Sequence, residues 1–161
     1  MEWICISQKG QSLSQNIDSI LFEKDAPLRD EFKYLYASVF KKPKNYVKII
    51  EALGTKKVGM TREEIITSTK IPNSGDLTTK LEELESCGFI HKYNAFGMKK
   101  KNAVYQLMDC FTLFYFKFLK SEPTDEHFWT NQINTPAVNT WLGLAFERVC
   151  MELRWILGNL R

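Results

Sequence analysis

The chain lacks the short motifs from which a catalytic activity is usually read. It has no Walker-type phosphate loop, no glycine-rich dinucleotide fingerprint, no paired-histidine zinc helix and no nucleophile elbow. Its four cysteines (Cys5, Cys87, Cys110, Cys150) lie far apart and form no CxxC pair, so neither a disulfide framework nor a zinc knuckle is indicated, and reduced thiols are expected. His91 and His127 are the only two histidines, and Cys87 and His91 have no second pair to complete a tetrahedral shell. No metal or other cofactor is therefore expected. Nor is there a long hydrophobic run. The most apolar stretch, 111–119, is interrupted by Lys117 and falls far short of the ~20 residues that span a bilayer. No basic segment precedes an apolar one at the N-terminus, so no signal peptide is expected, no membrane partner, and a cytoplasmic location. The net charge of +3 is mild and does not by itself announce a nucleic-acid partner. Low-complexity segments and internal repeats are missing too.

What is present suits a folded chain. Of 161 residues 44% are apolar and 25% charged, and eleven Phe, six Tyr and four Trp can fill a core. Residues before 25 carry little periodic signal. Asp25-Ala26-Pro27 then reads as a helix start, with Leu28, Phe32, Leu35, Tyr36 and Val39 on one face. From Pro43 the pattern is dense. Tyr46, Ile49, Ile50 and Leu53 mark a short helix, with Gly54 as its left-handed exit. Thr61-Arg62-Glu63-Glu64 is a capping box opening a second helix that stops before Pro72. After Asn73-Ser74-Gly75-Asp76, a third helix carries Leu77, Leu81 and Leu84 and ends at Gly88. Two β-prone segments follow, 89–96 and 103–107, flanking the polar tip Gly97-Met98-Lys99-Lys100-Lys101-Asn102. Three short helices and a ribbon predict a mainly α fold with a small β-wing (α+β), a winged helix-turn-helix at residues 43–108 with flanking helices. Residues 1–42 form an N-terminal helical segment and 109–161 a C-terminal helical extension. The extension opens on an aromatic helix from Asp109 and closes on a helix from Thr135-Pro136, with Val138, Trp141, Leu142, Ala145 and Phe146 turned inward.

In this arrangement the third helix would enter a major groove and the wing would touch the DNA backbone. The third helix sets Lys80 against Asp76, Glu82, Glu83 and Glu85, so only its N-terminal part suits a groove. Candidate DNA contacts are Ser74, Thr78, Thr79 and Lys80 on that helix, Lys92 on the first ribbon strand, and Lys99, Lys100 and Lys101 at the tip. The lysine run reads equally well as a solvated hairpin end that protects an edge. An enzyme is not expected. The competing partner is a protein: the acidic third helix and the aromatic surplus fit a homodimer or an interdomain linker.

Two blocks extend the reading. The first runs Leu81-Glu82-Glu83-Leu84-Glu85-Ser86-Cys87-Gly88-Phe89-Ile90 and on to Tyr105-Gln106-Leu107-Met108-Asp109, Phe111, Phe114-Tyr115 and Phe118. The second is Trp141-Leu142-Gly143-Leu144-Ala145-Phe146-Glu147. Together they resemble the C-terminal half of archaeal- and bacterial-type P-loop ATPases of the AAA superfamily. In that family a winged helix links the ATPase to a domain similar to PD-(D/E)xK nucleases. The resemblance spans about residues 10–150 and implies a truncated or fragmentary member, with an ATPase domain as a further possible partner. The phosphate loop is missing, so ATP hydrolysis is not implied. Glu147 matches the first helix glutamate of the nuclease-like domain, but the later Asp and the (D/E)xK pair are absent, and one carboxylate cannot hold a catalytic metal. Glu147 is accordingly read as a surface or capping carboxylate.

Overall fold

The computed structural model describes residues 8–93 and 103–159. The chain is mainly helical, with a small antiparallel three-stranded sheet. In chain order the elements are α1 (Leu13–Leu21), α2 (Glu31–Val39), α3 (Lys44–Gly54), β1 (Met60–Thr61), α4 (Arg62–Thr69), α5 (Gly75–Ser86), β2 (Ile90–Tyr93), β3 (Val104–Leu107), α6 (Cys110–Phe114) running into a π-helical turn (Tyr115–Leu119), α7 (Phe128–Gln132) and α8 (Pro136–Asn159). Two compact units are formed: Tyr36–Leu113, and the flanks up to Leu35 and from Phe114 onward.

In the central unit the apolar spacing becomes a core directly. Ile49, Ile50 and Leu53 of α3, Ile65 of α4, and Leu77, Leu81 and Leu84 of α5 are all sealed from solvent. Phe40 stacks on Tyr46, and Tyr36 tilts against Phe89 while its hydroxyl shares a 2.8 Å hydrogen bond with Thr112. The capping box forms as its spacing requires. The Thr61 hydroxyl accepts from the Glu64 amide, and the Glu64 carboxylate accepts from the Thr61 amide at 2.8 Å. The hydrogen bond from the Lys56 ammonium, then that amide, holds the Glu64 carboxyl below its ordinary range. At the far end of α5, Gly88 (φ +77°) donates to the Glu85 carbonyl and Phe89 to the Leu84 carbonyl, the double bond of a Schellman ending.

The sheet order is β1-β3-β2. Met60 faces Tyr105 and Thr61 faces Val104, while Ile90, His91, Lys92 and Tyr93 face Leu107, Gln106, Tyr105 and Val104. The strand β1 is two residues long and lies outside what periodicity reveals. It pairs because the preceding turn lies against β3: the Gln106 side-chain amide donates to the Lys57 carbonyl at 2.7 Å, and Gly59 (φ +86°) comes so close that a Cβ there would lie 2.5 Å from the Tyr105 carbonyl oxygen.

The flanking unit has its own core. Phe22, Phe114, Phe118, Phe128, Trp129 and Trp141 form a cluster of stacked and edge-on rings. Buried Asp18 accepts from the amides of Trp129 (2.7 Å) and Thr130 (3.1 Å), satisfying the open N-terminus of α7. The Arg29 guanidinium donates to the carbonyls of Phe22, Glu23 and Pro123. Pro136 starts α8, and the Val138 amide points to the Thr135 hydroxyl.

Several local expectations are corrected. Residues 13–21 are helical, opened by a capping box of Ser12 and Gln15. The helix expected from Pro27 begins only at Glu31, and Val39 is exposed. Gly54 remains inside α3, whose exit residue Thr55 has ordinary right-handed angles. On α8, Leu142 and Phe146 point to solvent rather than inward, and among the described side chains Val138 and Arg148 are the buried positions.

Gly59→Ala would force both a left-handed alanine and a collision with backbone, so it should lower unfolding stability by more than about 2 kcal/mol. Gly88→Ala, with the same sign of φ but open space around it, should lose only about 1 kcal/mol. Urea midpoints of the two variants test this, and equal losses would contradict the close approach of Gly59 to β3.

Candidate nucleic-acid interface

The corner between α4 and α5 is built by three devices. Lys70 leaves α4 in a left-handed conformation (φ 59°), the Thr69 hydroxyl accepts from the Ile71 amide at 3.2 Å, and Ile71 is buried. Arg62 then ties the outgoing chain to the start of α4: its Nε donates to Asn73 Oδ1 and its Nη2 to the Ser74 carbonyl, both at 2.9 Å. Arg62 and Asn73 were not among the sequence candidates, because a clamp between residues eleven apart in different elements leaves no periodic trace.

The candidate residues divide into three groups. Ser74, Thr78 and Thr79 are exposed on the first turn of α5. Ser74 caps the helix with its backbone alone, so its hydroxyl faces water. Those of Thr78 and Thr79 back-bond to the carbonyls of Ser74 (3.5 Å) and Gly75 (3.2 Å). Such back-bonds exchange readily for an external acceptor.

Lys80 is placed differently. Its side chain is only 12% exposed, its ammonium is bonded to Asp76, and it sits 5.3 Å from the Tyr46 ring centre. The stem therefore lies against α3 and its charge is already countered. Lys92, the third case, is exposed on β2, with its ammonium 5.9 Å from the Tyr105 ring centre. Lys99, Lys100 and Lys101 lie outside the described residues.

The acidic character of α5 is also less bare than its sequence. Asp76 holds Lys80, Glu83 accepts from the Tyr46 hydroxyl, and Glu85 accepts from the Lys92 amide at 3.1 Å. Three of its four carboxylates therefore have partners inside the unit. Burial, then the bond to Glu83, pushes the Tyr46 hydroxyl up to about 12.

A whole-chain charge count hides how the charge is divided. Residues 36–113 contain thirteen Lys and Arg against eight Asp and Glu, whereas the rest of the chain contains nine against eleven. Lys41, Lys42, Lys44, Lys48, Lys57 and Lys70 add exposed cations to the basic unit beyond the candidates named above. Counting charge by unit would have found them. Glu147, in the other unit, is an exposed α8 side chain 3.6 Å from the Arg148 guanidinium. Among the described residues no three Asp, Glu, His or Cys side chains converge as a metal site, and no helix is long and apolar enough to cross a membrane.

The Tyr46 hydroxyl binds its proton more tightly folded than unfolded. Its contribution to stability is therefore complete below about pH 10 and is lost as pH rises toward 12. An absorbance titration at alkaline pH should show this tyrosine ionising near 12, and Glu83→Gln should bring it down without returning it to 10, since burial remains. Ionisation near 10 in the wild type would contradict the Tyr46–Glu83 contact.

Comparison of the chain with protein-family models, with curated proteins and with solved structures found no match in any of the three.

Proposed function

We propose that residues 43–108 are a winged helix-turn-helix that binds duplex DNA chiefly through its backbone. The observation that carries this reading is the topology. The order α3-β1-α4-α5-β2-β3, with sheet order β1-β3-β2 and an exposed first turn on α5, supports a helix that enters a groove beside a two-stranded wing. The thirteen-to-eight excess of cations in the same unit favours phosphate contact. Ser74, Thr78 and Thr79 are the groove-facing group, and Lys92 with Lys99, Lys100 and Lys101 the phosphate group. Lys80 acts indirectly, holding Asp76 and Tyr46 in place.

Hydroxyls reach either bases or phosphates and discriminate weakly, so this interface binds with little preference among sequences. On the AAA-superfamily resemblance, the module is the non-enzymatic DNA-touching part of an ATPase lineage. ATP turnover by the purified chain would contradict that view.

A protein-interaction role is the second reading, and a different observation favours it. In the other unit α8 leaves a line of large apolar side chains in water, a contiguous apolar patch of the kind that often marks an interaction site.

Anisotropy of a labelled duplex, titrated across ionic strength, tests the DNA reading. Each phosphate contact contributes about 0.9 to the slope of log affinity against log salt. Lys99→Ala/Lys100→Ala/Lys101→Ala should therefore lower the slope by up to about 2.7, while Lys80→Ala should change it by less than one contact. Undetectable binding at low salt would overturn the reading.

A further inference from the structure

We infer that α8 is a self-association helix, pairing with α8 of a second copy of this chain through Leu142, Phe146, Val149, Leu153 and Leu157. The inference deepens the protein-interaction reading and is independent of DNA binding. These five residues are 46%, 71%, 45%, 52% and 63% exposed. They recur at steps of four, three, four and four, so they form one line along a face of the helix. Among the described side chains of α8, buried Arg148 lies on a different face, while buried Val138, four residues before Leu142, closes the N-terminal end of the line against the helix's own unit. The helix therefore uses one side for its own unit and keeps a second apolar side uncovered.

The size of the line fits a dimer. With a large apolar residue at roughly 150–200 Å², the five fractions expose about 500 Å². With the residues beside them, this approaches the ~800 Å² that each partner contributes to a standard interface.

The chemistry selects the occupant. None of the five is charged, so the line offers nothing to a phosphate backbone. A lipid surface calls for basic residues along the flanks, yet the exposed charges nearby are Glu147, Glu152 and Arg154, an acidic balance. Small residues border the line at Gly143 and Cys150, and a Cβ on Gly143 would meet nothing within 4 Å, which leaves room for a helix to approach closely. A partner helix must carry an apolar seam of the same period and length. A second copy supplies one by identity, in an interface where the same patch serves both chains.

Light scattering of the full chain over a concentration series is the test. The wild type should approach twice 18.8 kDa, and Phe146→Glu/Leu153→Glu should return to the single-chain mass with its helical circular dichroism unchanged. Val58→Glu, at an exposed apolar position of the central unit, should leave the dimer intact. If the double variant loses helical signal, Val149→Glu alone replaces it, with the same expectation. A dimer that survives these substitutions overturns the inference. A monomeric wild type also overturns it, and a hydrophobic dye then separates the two levels. Dye binding that Phe146→Glu abolishes would retain the protein-interaction reading with another partner. No dye binding would remove that reading as well.

Discussion

The central unit depends on how closely the chain at residues 57–61 approaches β3. Gly59 lies against the Tyr105 carbonyl where no side chain fits, Gln106 reaches across to the Lys57 carbonyl, and Met60 and Thr61 complete the sheet edge. One residue then serves two elements: Thr61 ends β1 and, through its hydroxyl, caps α4. The direction in which α4 leaves the sheet is thereby set, and with it the α4–α5 corner that Arg62 clamps. The buried leucines of α5 contribute to the apolar core, but they do not choose the orientation of the corner. The backbone contact at Gly59 does, since only glycine combines that φ with that lack of space.

A second consequence concerns charge. Sequence places Lys80 among the candidate contacts and four carboxylates on the same helix, which looks self-defeating for a nucleic-acid surface. In three dimensions Lys80 and Asp76 cancel each other beside Tyr46, and Glu83 and Glu85 are taken up by a phenol and a backbone amide. At the start of α5 the exposed groups are three hydroxyl-bearing side chains and the paired carboxylate of Asp76, while exposed cations sit on and around α3, at the α4–α5 corner and on β2. On the proposed DNA reading, a surface of this kind would tolerate many sequences, because its charged contacts would recognise phosphate, not base edges.

Much of the central unit was legible beforehand, for identifiable reasons. The leucines at 77, 81 and 84, the Thr61–Glu64 capping box and Gly88 are local signals whose geometry needs no distant partner. The strand β1 was not legible, since two residues have no period and their pairing depends on residues more than forty positions away. Pro27 misled because a proline can begin a turn as well as a helix. The Ser12–Gln15 capping box was readable in principle, but it precedes a helix of only nine residues with polar positions inside it. On α8 the apolar residues fall on two faces, and a helical wheel cannot say which of them the unit covers. In the proposed interface Ser74, Thr78 and Thr79 are exposed at the start of α5, where a capping position and a first helical turn normally lie open to water. The burial of Lys80 was not legible, because it requires Tyr46 from a different helix.

The proposed DNA contacts are the exposed start of α5, Lys92, and the lysines at 99–101. Amide chemical-shift mapping on the labelled chain at low salt tests them residue by residue. Addition of a short duplex should perturb the amides of residues 74–79, Lys92 and Lys99–Lys101 together, leaving α1 and α8 in place. Perturbations spread evenly over the exposed lysines of both units, or confined to α8, would contradict the proposal.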